Sequence, residues 1–492
     1  MDRGAQTPVY RSPIFAPTPA VQRTRKLERV SSAFHVENFG CRAARADGEA
    51  VAERLRARGL VERGPSAADV VIVNTCSVTA EADRSARAFI RRTHRQNPDA
   101  RILVTGCYAQ RAPAELARME GVAAVVGNSH KALSPEIAMD LAAGAAPSHF
   151  VSLGTLLHQG AEQAAPIWAD DHFAHSFLEE AELVPGSQTR PNLKIQEGCG
   201  NRCTFCVIPQ TRGRSRSLAA DSVLAQVRSF VAAGGNELVL SGINLGRWGR
   251  DLPAAEGGTR SLAKLVRQIF AETSLPRLRL SSIEPMDWDA DLQAVIRDHA
   301  GGRLARHAHL PLQSGSDAVL RRMHRRYRPW HYEKKVSELL DAFGPDLTLG
   351  ADVMVGFPGE TDQEFEETCR LIRDLPFGYL HVFPFSARPG TRGWAMHAET
   401  PVPPKVAAER HAALVTLGCD KTLVHRRRFL GRVLSAVTLN TSERLSAAGR
   451  TSALTDNFLP VEIAGVVEAN RLTDVAITSI GADGALTACA AL

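Results

Sequence analysis

Three cysteines gathered in one short loop carry the clearest chemical signal in the chain. They are Cys199, Cys203 and Cys206 in the run Gln196-Glu197-Gly198-Cys199-Gly200-Asn201-Arg202-Cys203-Thr204-Phe205-Cys206, directly after a predicted strand over 193–196. Thiolate sulfur is a soft ligand that selects iron–sulfur clusters or zinc. A four-iron cluster normally takes four cysteines. Three leave one iron open to a substrate or cofactor, so the incomplete set points to catalysis rather than to electron storage. A zinc knuckle is the alternative. It wants four protein ligands, and the nearest histidines, His172 and His175, lie in an acidic segment on the far side of the strand.

A second trio is scattered in sequence. Cys41, Cys76 and Cys107 are 35 and 31 residues apart, yet each follows a predicted parallel strand, in FGC, VNTC and VTGC, and each precedes a helix. The C-terminal strand ends of an open α/β sheet share one edge, where ligands bind, so these thiols are expected to converge and again to leave an iron with a free position. Any one of them alone reads as an inert core cysteine. Cys369 in the amphipathic run DQEFEETCRLIRDL, and Cys419 and Cys489, which have no partner nearby, are assigned to packing.

The elements that must position these thiols set the fold class as α/β. Residues 34–150 alternate strand-like and helical runs, the pattern of a parallel sheet. Over 191–425 the runs LKIQEGC, ELVLSGINL, RLRLSSIEP, HAHLPLQSG, LGADVMVGFPG and YLHVFPFS alternate with helices, which predicts a complete or partial (β/α) barrel whose reactive groups collect at the C-terminal ends of its strands. By that geometry Ser241, Gly242, Glu284, Gln313 and Asp352 are candidate cofactor contacts. Their plain alternatives are a helix cap at Ser241, a surface carboxylate at Glu284 and a turn at Gly356 to Gly359. Short β-rich runs over 429–492 predict a small all-β barrel. Residues 1–33, with four prolines, six Arg or Lys and two acids, read as a disordered basic extension, and 151–190, gathering Asp170, Asp171, Glu179, Glu180 and Glu182, read as a linker.

Nine cysteines in 492 residues are too few for a disulfide scaffold. No stretch approaches the roughly 18 apolar residues of a membrane span and the N-terminus lacks a secretory core, so no membrane and a cytoplasmic location are expected. A net charge of +6 suits a polyanionic partner.

The three-then-two cysteine spacing with Phe205 before the last cysteine resembles the radical S-adenosylmethionine superfamily, which implies Phe205 as a further cofactor contact. Together with the N-terminal trio and the C-terminal β segment, called TRAM, the chain over 34–492 resembles the methylthiotransferases. That resemblance implies two 4Fe-4S clusters, one on each trio, and S-adenosylmethionine both as methyl donor and as source of a 5′-deoxyadenosyl radical. A radical suits the target, because an aromatic C2–H of adenosine offers no acidic proton to a general base. The resemblance further implies tRNA, at its anticodon stem-loop, as partner, and an external reductant such as a flavodoxin or ferredoxin.

Asn74 to Arg87, Gly106-Cys107-Tyr108-Ala109-Gln110, Arg212 to Ser217 and Tyr379 to Thr391 are most similar to the enzymes acting on N6-threonylcarbamoyladenosine at position 37 of tRNA. The same family also acts on isopentenyladenosine in tRNA and on an aspartate of a ribosomal protein; a zinc-containing, non-enzymatic RNA-binding protein is the reading outside it. Near Cys41 the chain departs from the family, with Ala44 where Asn is usual and Gly48 where Ser is usual, while Asp47 keeps the acid. Arg212, Arg214, Arg216, Arg325 and Arg326 are candidate phosphate contacts and Phe458 a candidate stacking residue for RNA. One chain holds every required part, so a monomer is expected.

Overall fold

The computed structural model describes residues 32–145, 164–173, 190–253 and 260–491. Nearly all of the basic extension and most of the predicted linker lie outside these residues.

The first sheet is parallel throughout. Its strands are β1 (Ala33–Asn38), β2 (Val61–Glu62), β3 (Val70–Thr75), β4 (Arg101–Gly106), β5 (Val122–Gly127) and β6 (Ile167–Trp168), in the order β2-β1-β3-β4-β5-β6. Helices cover both faces, which is why β3 and β4 read as continuous apolar runs instead of alternating ones. Val70 and Ile72 point to a core with Leu55 and Ile137, whereas Val71 and Val73 meet Phe89 and Ile90 on the other side. Strand β6 is a correction: Ile167 and Trp168 fall within the segment read as linker, yet they close the edge of this sheet. A two-residue apolar pair, followed closely by Asp170 and Asp171, is too short to announce a strand.

The second body is a partial barrel. Strands β7 (Asn192–Glu197), β8 (Arg216–Ser217), β9 (Glu237–Gly242) and β10 (Arg277–Leu280) form one sheet in the order β10-β9-β7-β8. Strands β11 (His307–His309), β12 (Thr348–Val355) and β13 (Phe377–Pro384) form another. Backbone bonds from Leu278 to Arg303 (2.7 Å) and from Ile283 to His309 (3.1 Å) join the two. Six parallel strands therefore curve around one core that runs from Leu193 and Leu240 to Leu349 and Val353. Strand β8 runs antiparallel to β7.

Strands β14 (Val433–Thr438), β15 (Arg450–Thr455), β16 (Pro460–Ala464), β17 (Leu472–Ile480) and β18 (Leu486–Ala490) close a small barrel in the order β14-β15-β16-β18-β17. This is the architecture the TRAM resemblance implies. It is fastened to the larger body by Arg306, which reaches Asp456 at 2.6 Å, and by Arg277, which donates to Ser435 at 2.7 Å.

Candidate active site

Strand β7 ends in Gln196 and Glu197, both fully buried, and launches the cysteine loop. Gly198 follows at φ +69, where a Cβ would lie 2.0 Å from the Arg214 carbonyl oxygen. Only glycine lets the chain turn this close to the returning backbone. Cys199 Sγ accepts from the Asn201 backbone N–H at 3.4 Å and has Asn244 Nδ2 at 3.7 Å; Cys203 Sγ accepts from Arg325 Nη1 at 3.3 Å. Burial pushes the Cys206 thiol up to about 12, with Cys203 and Cys199 adding to it, and burial also raises Cys199.

The N-terminal trio stands after successive strands of the first sheet. Cys41 stands at the start of the helix Arg42–Ala57, Cys76 follows β3, and Cys107 opens the short helix Cys107–Arg111 after β4. Gly40, at φ +116, would carry a Cβ 2.5 Å from Cys76 Cβ and 2.8 Å from its sulfur, so the absence of a side chain is what lets the Cys41 turn approach Cys76. Burial, reinforced by Cys107 and Cys41, pushes the Cys76 thiol up to about 12. Cys107 Sγ accepts from Arg212 Nε at 3.3 Å and from Asn128 Nδ2 at 3.4 Å.

The departure at Gly48 is explained by Asn38. Its Oδ1 accepts from Asn74 Nδ2 at 2.9 Å and would lie 1.8 Å from a Cβ at Gly48; Asn74 Nδ2 also donates to the Ala44 carbonyl at 2.5 Å. Asn38 fills the space a side chain at 48 would need.

Between the two trios lies a buried ionic network. Arg212 Nη1 reaches Glu197 at 2.7 Å and Asp47 at 3.2 Å; Lys131 Nζ reaches Glu197 at 2.6 Å and Asp47 at 3.1 Å; Lys194 bonds Glu197 at 2.6 Å and also pairs with Asp47. Burial opposes both carboxylates, yet the three cations hold Asp47 below, and Glu197 well below, the usual carboxylate range. Burial brings Lys131 down to about 8. A second tie runs from the loop after Cys76. Arg388 reaches Asp83 at 2.9 Å, and Ser386 Oγ accepts from the Ala80 N–H at 3.0 Å.

One cavity of 430 Å³ opens beside the second tie, its wall including Val78 and Thr79 beyond Cys76, Phe205 and Cys206 of the cysteine loop, Ser386, and Gln313, Asp352 and Met354 of the barrel. Burial opposes the charge on Asp352, but His309, at 3.4 Å, and His381 hold its carboxyl below the usual range.

The chain matches two family models, one described as uncharacterized protein family UPF0004 over residues 33–127 and one as the radical SAM superfamily over 193–372. It is 35% identical over 437 residues, 88% of this chain and 90% of the relative, to the threonylcarbamoyladenosine tRNA methylthiotransferase MtaB of Bacillus subtilis (strain 168). The chain belongs to the radical S-adenosylmethionine methylthiotransferases. It is also 32% identical to MtaB of Aquifex aeolicus (strain VF5), over 90% of this chain and 99% of that one. It is 31% identical to the tRNA-2-methylthio-N(6)-dimethylallyladenosine synthase of Geobacter metallireducens (strain ATCC 53774 / DSM 7210 / GS-15), over 90% and 95%. Among solved structures, the radical S-adenosylmethionine methyltransferase TsrM of Kitasatospora setae, with cobalamin and a [4Fe-4S] cluster bound, shares the fold at a TM-score of 0.51 and 15% identity, over 72% of this chain and 75% of that one.

Membership of the methylthiotransferases makes the chain an enzyme, implies a 4Fe-4S cluster and S-adenosylmethionine, and overturns the non-enzymatic zinc reading. Among the described residues no three His, Cys, Asp or Glu side chains surround a single metal ion, and no helix is long and apolar enough to cross a membrane. The cysteine loop fits the implied cluster by its donor set: three sulfurs, each with an N–H group aimed at it.

The other predicted contacts sort differently. Phe205, Gln313 and Asp352 line the cavity. Ser241 Oγ donates to the Leu193 carbonyl at 3.4 Å inside the sheet, Gly242 packs on Gln196, and Glu284 binds Arg325 Nη2 at 2.6 Å. Three RNA expectations are corrected. Arg212 and Arg325 are buried, one on Cys107 and the other on Cys203, and Phe458 stacks on His307 at 4.2 Å with Arg279 over its ring at 5.3 Å, joining the small barrel to the large one. Arg214 and Arg326 are exposed; Arg216 is half-buried against Phe173. Sequence reasoning missed Asn128, Lys131, Lys194, Glu197 and Asn244 as site residues. Lys194 and Glu197 did leave a signal, being charges within a strand whose apolar neighbours are core.

Proposed function

We propose that this enzyme methylthiolates C2 of N6-threonylcarbamoyladenosine at position 37 of tRNA, using two 4Fe-4S clusters and two molecules of S-adenosylmethionine. The observation that carries the reading is the shared cavity: residues just beyond Cys76 and residues of the Cys199 to Cys206 loop wall the same 430 Å³ space. A sulfur held on one trio and a radical generated at the other would meet there over one base. The relatives in Bacillus subtilis and Aquifex aeolicus are named for threonylcarbamoyladenosine in tRNA, which favours that substrate.

Cys199, Cys203 and Cys206 would hold the first cluster and Cys41, Cys76 and Cys107 the second. When bound, the clusters and S-adenosylmethionine supply reductive carbon–sulfur cleavage and the sulfur to be transferred. The chain's own residues orient and exclude. Phe205 and Met354 give the cavity apolar walls that keep water from a reactive radical. Gln313, held at φ +64, keeps its Oε1 buried without a hydrogen-bond partner among the described residues, free to accept from a ligand N–H. Asp352 stays ionised, a second acceptor for a base or ribose. Loading either trio requires Cys76 and Cys206 to lose their protons, because a thiol binds iron only as thiolate.

The enzyme acts as a cytoplasmic monomer that takes electrons from a flavodoxin or ferredoxin and grips the anticodon stem-loop through exposed arginines such as Arg214 and Arg326. Mass spectrometry of tRNA nucleosides from a deletion strain tests the reading. Loss of the 2-methylthio form of threonylcarbamoyladenosine is expected. Loss confined to the isopentenyl series would move the substrate, and unchanged methylthio-adenosines would reject tRNA.

A further inference from the structure

Arg212 stands six residues after Cys206, at the end of the short helix Ile208–Arg212, yet its side chain leaves its own cysteine loop and enters the other trio. It is fully buried. Nε donates to Cys107 Sγ at 3.3 Å, while Nη1 is braced by Glu197 at 2.7 Å and Asp47 at 3.2 Å. Nη2 is buried with no hydrogen-bond partner among the described residues. A buried guanidinium that leaves an N–H unpaired wastes a strong donor, which marks a place where something else accepts. Together Lys131, Lys194 and Arg212 bring three positive charges against the two of Asp47 and Glu197, leaving one cation in excess beside the thiols.

We propose that Arg212 is a positioning residue for the second cluster: it fixes Cys107 through Nε and offers Nη2 to a cluster sulfur, raising the cluster's reduction potential. The inference rests on the two-cluster reading above. Hydrogen bonds to cluster sulfurs and net local charge are the levers by which a protein sets such potentials, and a cationic donor stabilises the more negative, reduced form. Because Glu197 and Arg212 flank the Cys199 to Cys206 loop on both sides, the same contacts set the distance between the two trios.

The test uses the full chain with Cys199, Cys203 and Cys206 replaced by Ala, which leaves only the second cluster, reconstituted anaerobically and titrated by EPR. Arg212→Gln is expected to retain iron while lowering the midpoint by at least a tenfold change in the oxidised-to-reduced ratio, 59 mV for a one-electron couple. Arg212→Lys keeps the charge for Asp47 and Glu197 but lacks the guanidinium donors, so it should recover the melting temperature lost in Arg212→Gln while the potential is only partly restored. Iron lost from both variants with the fold intact would also support the role, through Cys107. A potential unchanged in both, with only the melting temperature reduced, would make Arg212 a structural ion-pair member and overturn the proposal. Absence of iron before Arg212 is changed would instead remove the second cluster itself.

Discussion

At Gly48 a single missing side chain decides whether the Cys41 turn is built correctly. Asn38 Oδ1 occupies the space a side chain at 48 would need, and it is held there by Asn74. Gly48→Ser should therefore destabilise the chain by about 1–3 kcal/mol through overpacking, measured by denaturant unfolding. Gly48→Ser combined with Asn38→Ala should recover most of the loss; additive costs would show that the two sites are independent. The candidate cysteines stood out because the chemistry of sulfur is written in residue type, and for Cys199 to Cys206 the spacing is local. Arg212 and Arg325 were misread for the opposite reason. An arginine beside a cluster loop looks like a phosphate contact until burial is known, and the carboxylates that bury these two, Asp47 and Glu284, come from other elements of the fold.

Among the elements, the helix Pro404–Arg427 links the barrel to the small β domain, and its last turn carries His425. His425 Nε2 lies 2.8 Å from Thr348 Oγ1 on β12, and burial, with Arg428 and Arg426, brings its pKa down from 6.5 to about 4. The unfolded chain therefore binds this proton more tightly than the folded one. Stability from this group is complete above pH 6.5 and is lost as pH falls towards 4, reaching about 3 kcal/mol at the bottom of that window. Melting curves from pH 7 to 4.5 should show that loss, and His425→Gln should flatten it; an equal pH dependence in the variant would assign the effect elsewhere. Strand-and-helix rhythm made the sheet and the barrel readable, since fully covered strands such as β3 announce themselves as apolar runs. Strand β6 was not readable, because two residues carry no period.

For the whole molecule, the proposed function depends on holding one domain's trio against the other's. Arg388 and Asp83 are both buried, and Arg388 Nε also reaches the Val78 carbonyl at 3.5 Å. Arg388→Met should leave iron content unchanged but cut methylthio transfer at least tenfold, because it releases the loop after Cys76 from the cavity; full turnover would show that this tie does not position the site. Replacing Arg214 and Arg326 by Ala should weaken tRNA binding and reduce the slope of log affinity against log salt by about 1 for each phosphate that is no longer neutralised. An unchanged slope would move the RNA surface. None of these long-range ties was legible in the sequence, since Asp83 and Arg388 are 305 residues apart. The most direct measurement is the iron count of the anaerobically reconstituted chain, before and after Cys76→Ala. Two clusters predict about eight irons falling to about four, whereas about four irons that Cys76→Ala leaves unchanged would contradict the second cluster and the transfer built on it.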